Sequence, residues 1–166
     1  MAGWFSGASQ HKVDGKGRVS IPVAFRRVLE ENDPAWTEGL NPNLILVFGD
    51  QSRSYLEGYS VAAMNEVIDS IKKMRPGTDK RRYLEHFYTG LAQQMQVDDN
   101  GRLVLSERMR SKADITDEAY FVASGASFQI WRPEAYFAQA DKFDNFSKQF
   151  GEDFDPLSLL DFGPED

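Results

Sequence analysis

The sequence predicts an α+β protein built from two copies of one small unit, in which strands, a tight turn and a helix follow one another. The first observation is an internal repeat, because a shift of 84 positions aligns residues 8–21 with residues 92–105. Six of those fourteen pairs are identical: Ala8/Ala92, Gln10/Gln94, Val13/Val97, Asp14/Asp98, Gly17/Gly101 and Arg18/Arg102. The second observation is strand periodicity on both sides of each Gly-containing turn, which indicates a ββαββ-type order in each copy.

The first copy shows this order clearly. A tight turn over residues 14–17 separates two strands, because Asp and Gly tolerate the positive φ that such turns require. The following strand alternates apolar and polar residues, and Pro22 then fits the first turn of a helix. The apolar face of that helix consists of Phe25, Val28 and Leu29.

The second copy follows the same order with a shorter helix. Ser106 is placed as the N-cap of a helix that reaches Ala113. Beyond its helix, each copy continues with two extended segments separated by a glycine, which is Gly49 in the first copy and Gly125 in the second. The strands predicted in these segments are residues 44–48, 54–56, 119–123 and 127–131.

Additional helices follow each copy. Apolar residues at spacings of three and four predict a helix over residues 61–71, and residues 78–88 predict another that Gly90 ends. Pro133 opens the last helix. The expected organisation is a first repeat, a helical linker, a second repeat, a C-terminal helix and a disordered acidic tail, with the boundaries 5–60, 61–90, 91–132, 133–155 and 156–166.

The composition is that of an ordinary globular protein. Apolar residues make up 41% and charged residues 27% of the 166 positions. No apolar run approaches the roughly 20 residues that span a bilayer, and no basic segment precedes a long apolar one near the start, so we expect a cytoplasmic protein without a membrane partner. Cysteine is absent and only two histidines occur, so we expect neither a metal site nor a cofactor.

Charge is distributed unevenly along the chain. The net charge is −7, but residues 141–166 hold eight acids against two bases, whereas the rest of the chain holds 17 bases and 18 acids. In that larger part the bases cluster in three segments, residues 12–27, 72–82 and 102–112. Local basic patches with an acidic tail are compatible with a nucleic-acid partner despite the negative total.

Two matching turns, residues 14–18 and 98–102, carry the functional hypothesis. A guanidinium can bind guanine O6 and N7 or phosphate oxygens through two parallel hydrogen bonds, and two of them on a twisted β surface can enter a major groove. The candidate DNA-binding residues are Lys16, Arg18, Asn100 and Arg102. The candidate turn-stabilising residues are Asp14, Gly17, Asp98 and Gly101.

The role of the aspartates follows from their charge. A carboxylate is repelled by phosphate, so Asp14 and Asp98 are expected to accept hydrogen bonds across the turn and to orient the arginine. An aspartate and an arginine four residues apart can also be an intramolecular clamp with no ligand. Recurrence of the pair in both copies favours DNA contact over that alternative.

These turns, the repeat, the Pro22 helix start and residues 79–84 together resemble one family, MraZ. The resemblance runs from about residue 5 to about residue 138, and its most specific parts are Phe5-Ser6-Gly7 and the two Asp-x-x-Gly-Arg turns. The Asp-x-x-x-Arg element also marks the wider AbrB/SpoVT group. Two copies in one chain favour MraZ over the single-copy relatives.

The resemblance implies that the two pseudo-symmetric repeats form a swapped-hairpin β-barrel of the AbrB/SpoVT type. It implies a transcription factor that assembles into a ring and binds short direct repeats upstream of the division and cell-wall gene cluster, usually including its own promoter. The family's DNA-contacting arginines correspond to Arg18 and Arg102, and its loop base corresponds to Lys16. The second loop departs from the family pattern, because Asn100 replaces the lysine and Asp99 adds an acid. The expected partners are double-stranded DNA and further copies of the chain, at the nucleoid and without a small-molecule substrate.

The two histidines do not favour an enzyme. His11 occupies the repeat position that Met95 fills in the second copy, which favours a packed or interfacial strand site over a general base. His86 lies on a predicted helix beside basic residues, where it is a surface group or a weak phosphate contact. Neither a G-x-S-x-G nucleophile motif nor a G-x-x-x-x-G-K-[ST] phosphate loop occurs, so no catalytic residue is assigned.

A second hypothesis from another functional class stays open, a protein-interaction scaffold or antitoxin-like AbrB module. In it, the acidic aromatic tail binds a partner protein. The tail carries phenylalanines at helical spacing, a stripe that prefers burial against its own barrel or a neighbour, and these are Phe143, Phe146, Phe150 and Phe154. Deletion of residues 143–166 distinguishes this hypothesis from a regulator whose function lies in the turns.

Overall fold

A computed structural model describes residues 3–160 of the chain. Contacts divide the chain into two compact units, residues up to 133 and residues from 134 onward, and both sequence repeats lie in the first unit. In the part of the chain that the structure describes, no helix has the length and apolar character needed to cross a membrane. The end of the expected disordered tail, residues 161–166, lies outside the described residues.

The architecture is a mixed α+β fold with antiparallel strands and five α-helices among residues 3–160. The strands are β1 (Ala8–Lys12), β2 (Arg18–Ser20), β3 (Asn43–Val47), β4 (Leu56–Tyr59), β5 (Ala92–Gln96), β6 (Arg102–Val104), β7 (Glu118–Ser124) and β8 (Ser127–Trp131). The helices are α1 (Val23–Glu31), α2 (Val61–Lys72), α3 (Asp79–Glu85), α4 (Glu107–Lys112) and α5 (Pro133–Lys148). Each repeat thus contributes four strands and one short helix.

The six-stranded sheet joins the two copies by exchanging their first strands. Its order is β1-β7-β8-β4-β3-β5, and all its neighbours are antiparallel. β1 of the first copy pairs with the β7–β8 hairpin of the second, and β5 of the second pairs with the β3–β4 hairpin of the first. The order reads the same from either edge once the copies are exchanged. Each hairpin therefore obtains its third strand from the other copy.

The remaining strands, β2 and β6, form a separate two-stranded antiparallel ribbon. At its centre Val19 pairs with Leu103, and these two residues are equivalent positions of the repeat. A pseudo-twofold axis of the two copies therefore passes between them. Both side chains are almost completely buried, at 1% and 0% exposure, so the ribbon has one face against the core and one face outward.

Aromatic side chains fill the core beneath the ribbon. Phe25 on α1 packs against Phe128 on β8 with ring centroids 5.2 Å apart, and Phe5 meets the same Phe128 ring edge-on at 5.1 Å. Phe25 and Leu29 are the buried face of α1, as the 3.6-residue period predicts. A one-residue slip of β2 would exchange its buried valine for the flanking polar residues, so this core fixes which side chains face outward.

Helix starts follow the capping residues of the sequence. Ser106 accepts a hydrogen bond from the Met109 N–H at 3.2 Å, as the N-cap prediction for α4 requires. Thr78 caps α3, which is shorter than the predicted helix because residues 86–90 continue as one wider π-helical turn. In that turn Phe87 is buried, and it packs with the second apolar cluster around Tyr59.

The prediction of a strand at residues 54–56 was wrong, because β4 spans Leu56–Tyr59. Two of its residues, Glu57 and Gly58, are rare in strands, so the sequence pattern did not predict the correct position of β4. Gly58 is required by packing, since a Cβ at that position would lie 2.2 Å from the Phe128 ring. Glu57 is buried and binds Arg53 through a 2.5 Å ion pair, which compensates its charge. Tertiary contacts therefore override the local preference of both residues.

The second unit is helical and aromatic. α5 ends at Lys148, short of the predicted residue 155, because Gly151 has a positive φ of +86° and a short 3₁₀ turn, Pro156–Leu159, follows. The Phe150 and Phe154 rings stack at 4.5 Å. In the single chain the expected burial of the phenylalanine stripe is incomplete, since Phe143 is 62% exposed.

Candidate nucleic-acid interface

The first turn is organised around one carboxylate. Asp14 Oδ1 accepts hydrogen bonds from the backbone N–H groups of Lys16 at 3.0 Å and Arg18 at 2.9 Å, and Oδ2 binds Arg18 Nε at 2.6 Å. The backbone closes the same loop, since the Gly17 N–H donates to the Asp14 carbonyl at 2.9 Å. Gly17 has a φ of +84°, which favours glycine at this position.

The second turn repeats this geometry almost contact for contact. Asp98 Oδ1 accepts from the N–H groups of Asn100 and Arg102, both at 2.9 Å, and Oδ2 lies 3.3 Å from Arg102 Nε. The Gly101 N–H donates to the Asp98 carbonyl at 3.0 Å, and Gly101 has a φ of +73°. The identical residues of the repeat therefore correspond to identical local structure.

Both carboxyl groups are held in the ionised form. The hydrogen bond from the Arg18 N–H, assisted by the Arg18 side chain and the Lys16 N–H, lowers the pKa of Asp14 despite some desolvation. At Asp98 desolvation opposes the shift, but the N–H groups of Arg102 and Asn100 and the Arg102 charge together outweigh it and lower the pKa. Each aspartate is thus a stable anionic anchor for its arginine at neutral pH.

The ribbon brings the two arginines to the same surface. Arg18 pairs with Val104, and Ser20 pairs with Arg102, while the intervening Val19 and Leu103 point into the core. Side chains alternate between the two faces of a ribbon, so these four residues share the outward face. Diagonal neighbours on one face are separated by roughly 7–8 Å, which places the two arginines side by side.

Each arginine keeps a donor surface beyond its clamp. The side chains of Arg18 and Arg102 are 38% and 30% exposed. Each aspartate engages Nε, the guanidinium nitrogen nearest the chain, whereas the guanidinium has four further N–H donors on its two terminal nitrogens. The clamp therefore fixes the direction of the side chain and remains compatible with a bidentate contact at its tip.

The other two candidate residues lie at the tips of the turns. Lys16 and Asn100 are exposed, and their backbone N–H groups support the aspartates. Asp99, the acid that departs from the family pattern, accepts a 2.6 Å hydrogen bond from the Asn41 amide. The two tips thus differ in charge although their backbones match.

Sequence reasoning missed two arginines that each lie against the turn of the opposite copy. Arg110 on α4 donates from Nε to the Leu105 carbonyl at 3.1 Å and lies beside Gly17 of the first turn. Arg26 on α1 lies against Gly101 of the second turn, where a Cβ would come within 2.6 Å of Arg26 Nη1. Arg26 Nε is buried and has no hydrogen-bond partner among residues 3–160.

A signal for these two residues was present in the sequence. The 84-residue shift that aligns the turns also aligns Arg26 with Arg110, five residues beyond the matched segment. What the sequence could not show is that each helix packs on the turn of the other copy, because that contact depends on the pairing of β2 with β6.

His11 is one of the two histidines that an enzymatic site could use. His11 is half-buried on β1, with its ring edge-on to Phe121 at 5.5 Å and Nε2 2.7 Å from the Ser9 hydroxyl. Burial lowers the pKa of His11. Over residues 3–160 no group of three His, Asp or Glu side chains is arranged to hold a metal ion.

Comparison with known proteins identifies the family. The family model described as "MraZ protein, putative antitoxin-like" matches residues 4–80 and 89–156. The protein named Transcriptional regulator MraZ from Ruegeria sp. (strain TM1040) is 47% identical over 161 residues, which is 95% of this chain and 95% of the relative.

More distant relatives carry the same name. The protein from Ruegeria pomeroyi is 44% identical over 97% of both chains, and that from Parvibaculum lavamentivorans is 35% identical over 82% of this chain and 80% of its own. The name is that of a regulator and not of an enzyme. The resemblance expected from the two turns is confirmed, and the chain belongs to the MraZ family of transcriptional regulators.

Proposed function

We propose that the chain is a sequence-specific DNA-binding regulator that acts on duplex DNA through the outward face of the β2–β6 ribbon. In this proposal Arg18 and Arg102 bind base edges or phosphates, and Lys16 and Asn100 bind the backbone at the tips of the turns. Asp14 and Asp98, together with Gly17 and Gly101, hold the turns in the binding conformation. The protein would act in the cytoplasm, at the nucleoid.

The observation that supports this proposal is the placement of two aspartate-oriented arginines on one exposed ribbon face. A major groove is about 12 Å wide and admits a two-stranded ribbon, and arginine bidentate to guanine is the commonest specific contact there. An intramolecular clamp alone would not require both arginines to share a face. The two arginines are neighbours related by the pseudo-twofold axis, so both can contact one ligand simultaneously.

Local charge supports the same partner. Across the two turns the bases Lys16, Arg18 and Arg102 are balanced by three aspartates, so the turns alone are neutral. With Arg26 and Arg110, which lie beside Gly101 and Gly17, this group of residues has a net charge of +2. A positive patch on a protein of net charge −7 can still attract phosphate at short range, because salt screens charges that lie more than about 8–10 Å away.

For the fold, we propose that repeats 5–60 and 91–132 form a swapped-hairpin barrel of the AbrB/SpoVT type, joined by the helical linker 61–90. The exchange of β1 and β5 between the two hairpins supports this arrangement. So does the self-paired ribbon centred on equivalent residues. In this arrangement one chain supplies both halves of a DNA-binding surface.

For the assembly, we propose a ring of identical subunits that binds direct repeats in the promoter of the division and cell-wall gene cluster. A single ribbon makes few contacts, so its affinity for one site is weak. Linking subunits raises the effective concentration of the second and later contacts when DNA offers evenly spaced repeats. Identical heterologous contacts close into a ring when their rotation closes.

The salt dependence of binding tests the proposed contacts. We expect the duplex upstream of this gene to be shifted in a mobility assay, with a log–log slope against salt of about −0.9 per phosphate neutralised. Lys16→Ala should reduce the magnitude of that slope by about 1 per engaged subunit. It should also weaken binding to a scrambled duplex and to the native duplex by the same factor. Lys142→Ala removes the same exposed charge from α5 and should leave the slope unchanged. Equal slopes for the two variants would contradict a phosphate contact at Lys16.

A second candidate function, a protein-interaction scaffold, is favoured by the exposed apolar side chains of the second unit, Phe143, Phe146, Phe150, Leu157 and Leu160. Deleting residues 143–166 is expected to leave the affinity for the upstream duplex within about threefold, because the ribbon lies in the other unit. Mobility shifts with the truncated chain measure this. A truncation that keeps DNA binding but loses a co-purifying protein would instead support the scaffold.

A further inference from the structure

The outward face of the ribbon has an asymmetry that the two arginines do not share. Its four residues form two facing pairs, Arg18 with Val104 and Arg102 with Ser20. The pseudo-twofold axis exchanges one pair with the other, so Ser20 and Val104 are equivalent positions. One of them is a small hydroxyl and the other is an apolar side chain that is 48% exposed.

The pairing geometry places Val104 close to Arg18. The Leu105 N–H donates to the Gly17 carbonyl and the Ile21 N–H donates to the Gly101 carbonyl, so these positions are hydrogen-bonded pairs. Hydrogen-bonded and non-hydrogen-bonded pairs alternate along an antiparallel ladder. The Arg18–Val104 pair is therefore non-hydrogen-bonded, the class in which facing side chains come closest, with Cβ atoms roughly 4.5–5.5 Å apart.

We propose that Val104 is a specificity-determining residue that contacts the C5-methyl group of a thymine next to the base bound by Arg18. This inference rests on the proposed function of the ribbon. Successive bases on a strand are about 3.4 Å apart, so a side chain facing Arg18 lies over a base one or two steps away. The thymine methyl is the apolar feature of the major-groove edge, and apolar side chains recognise it.

The same geometry makes the reading directional. Beside Arg102 the equivalent position is Ser20, whose hydroxyl can donate to or accept from any base edge and has no methyl-sized apolar surface. The two halves of the ribbon therefore prefer different bases next to the base that each arginine binds. A pseudo-twofold surface with unequal halves reads a non-palindromic site, and such sites can be repeated head to tail.

Exposure alone does not carry this inference, because isolated exposed apolar residues are common on protein surfaces. Val23 at the start of α1 is similarly exposed, at 53%, and lies off the ribbon. What distinguishes Val104 is its position opposite Arg18 on a face whose other residues are polar. Val23 is therefore the matched control.

The test removes a single methyl group from the DNA. The full-length chain first selects a duplex from a randomised library, and each thymine of that duplex is then replaced by deoxyuridine, which lacks only the C5-methyl. Dissociation constants are measured by fluorescence anisotropy at fixed salt for the wild type, Val104→Ser and Val23→Ser. At one thymine next to the guanine bound by Arg18, deoxyuridine should weaken wild-type and Val23→Ser binding about fourfold per repeat, the effect of exposing one buried methyl. Val104→Ser should bind both duplexes equally.

The reciprocal substitution, Ser20→Val, is expected to produce a new base preference, which a loss of folding could not produce. Ser20→Val should create a new methyl-dependent preference of about fourfold for thymine beside the base bound by Arg102. The inference is overturned if deoxyuridine substitution affects the wild type and Val104→Ser equally at every thymine while binding still depends on Arg18. If no duplex is selected, or if binding does not depend on Arg18 and Arg102, the proposed function fails and this inference fails with it.

Discussion

Replacing Arg18 and Arg102 together with alanine is expected to weaken binding to the upstream duplex by at least about 30-fold per ribbon. A bidentate arginine–base contact discriminates by about 1–3 kcal/mol, and both contacts of each ribbon are removed together. The effect should multiply in an oligomer, because each weakened subunit also reduces the avidity of the others. Fluorescence anisotropy with the upstream duplex at fixed salt measures the change.

The structure supplies controls for this double variant. Both side chains are partly exposed and their ion pairs are local, so the thermal midpoint should change little. Arg75→Ala removes an exposed arginine from the loop between α2 and α3 and should bind normally. Arg18→Lys keeps the charge but loses the planar fork, so it should behave more like Arg18→Ala than like the wild type. Wild-type affinity in the double alanine variant would contradict the proposed interface.

Local chemistry explains what the sequence could predict. An aspartate that accepts backbone N–H groups and a glycine with positive φ are determined within five residues, so both turns were recognisable from composition and spacing alone. The start of α4 was predictable for the same reason, since Ser106 caps its own helix. The repeat then strengthened each assignment, because the same local pattern occurs twice.

The rest of the site depends on contacts that no local pattern encodes. β1 pairs with β7, more than 100 residues away, although residues 8–12 contain nothing that specifies this partner. The common face of Arg18 and Arg102 follows from the register of β2 against β6, which the buried Val19 and Leu103 fix. The repeat shows which residues are equivalent. It does not show that equivalent residues face each other.

In the C-terminal segment, apolar periodicity predicted more helix than the structure contains. Phenylalanines at spacings of three and four predicted a helix to residue 155, but the helical geometry ends at Lys148. The rings of Phe146, Phe150 and Phe154 remain in contact beyond that point, with centroids 4.5–5.3 Å apart. A periodic apolar pattern therefore indicates side chains that meet, and the backbone between them need not stay helical.

Gly17→Ala is expected to destabilise the protein by about 3 kcal/mol or more. Alanine at a φ of +84° is strained by about 1–2 kcal/mol, and the new Cβ would lie 2.1 Å from the carbonyl oxygen of Leu105. That oxygen is backbone and it accepts from Arg110, while the Leu105 N–H donates to Gly17 at 2.8 Å. Relief of the clash requires the end of the β2–β6 ladder to open. Urea denaturation followed by circular dichroism measures the loss.

The equivalent substitution in the second turn should cost less, about 1–2 kcal/mol. Gly101 has a similar φ of +73°, so the conformational strain is nearly the same. The neighbour of its Cβ is different, because it is the guanidinium of Arg26, the far end of a flexible side chain that can move aside. The repeat therefore predicts equal effects, whereas the structure predicts unequal ones.

Gly15→Ala is the matched control within the same turn. Gly15 does not have positive φ, and a Cβ there meets no atom within 4 Å, so the substitution should be neutral or slightly stabilising by reducing the freedom of the unfolded chain. The expected order of stability is Gly15→Ala, then Gly101→Ala, then Gly17→Ala. Equal losses of unfolding free energy for Gly17→Ala and Gly101→Ala would mean that the Leu105 carbonyl can move away from the new Cβ. The end of the ribbon next to Gly17 would then not be rigid. The order of these three variants therefore tests whether the β2–β6 register, on which the common face of the arginines depends, is as rigid as its contacts indicate.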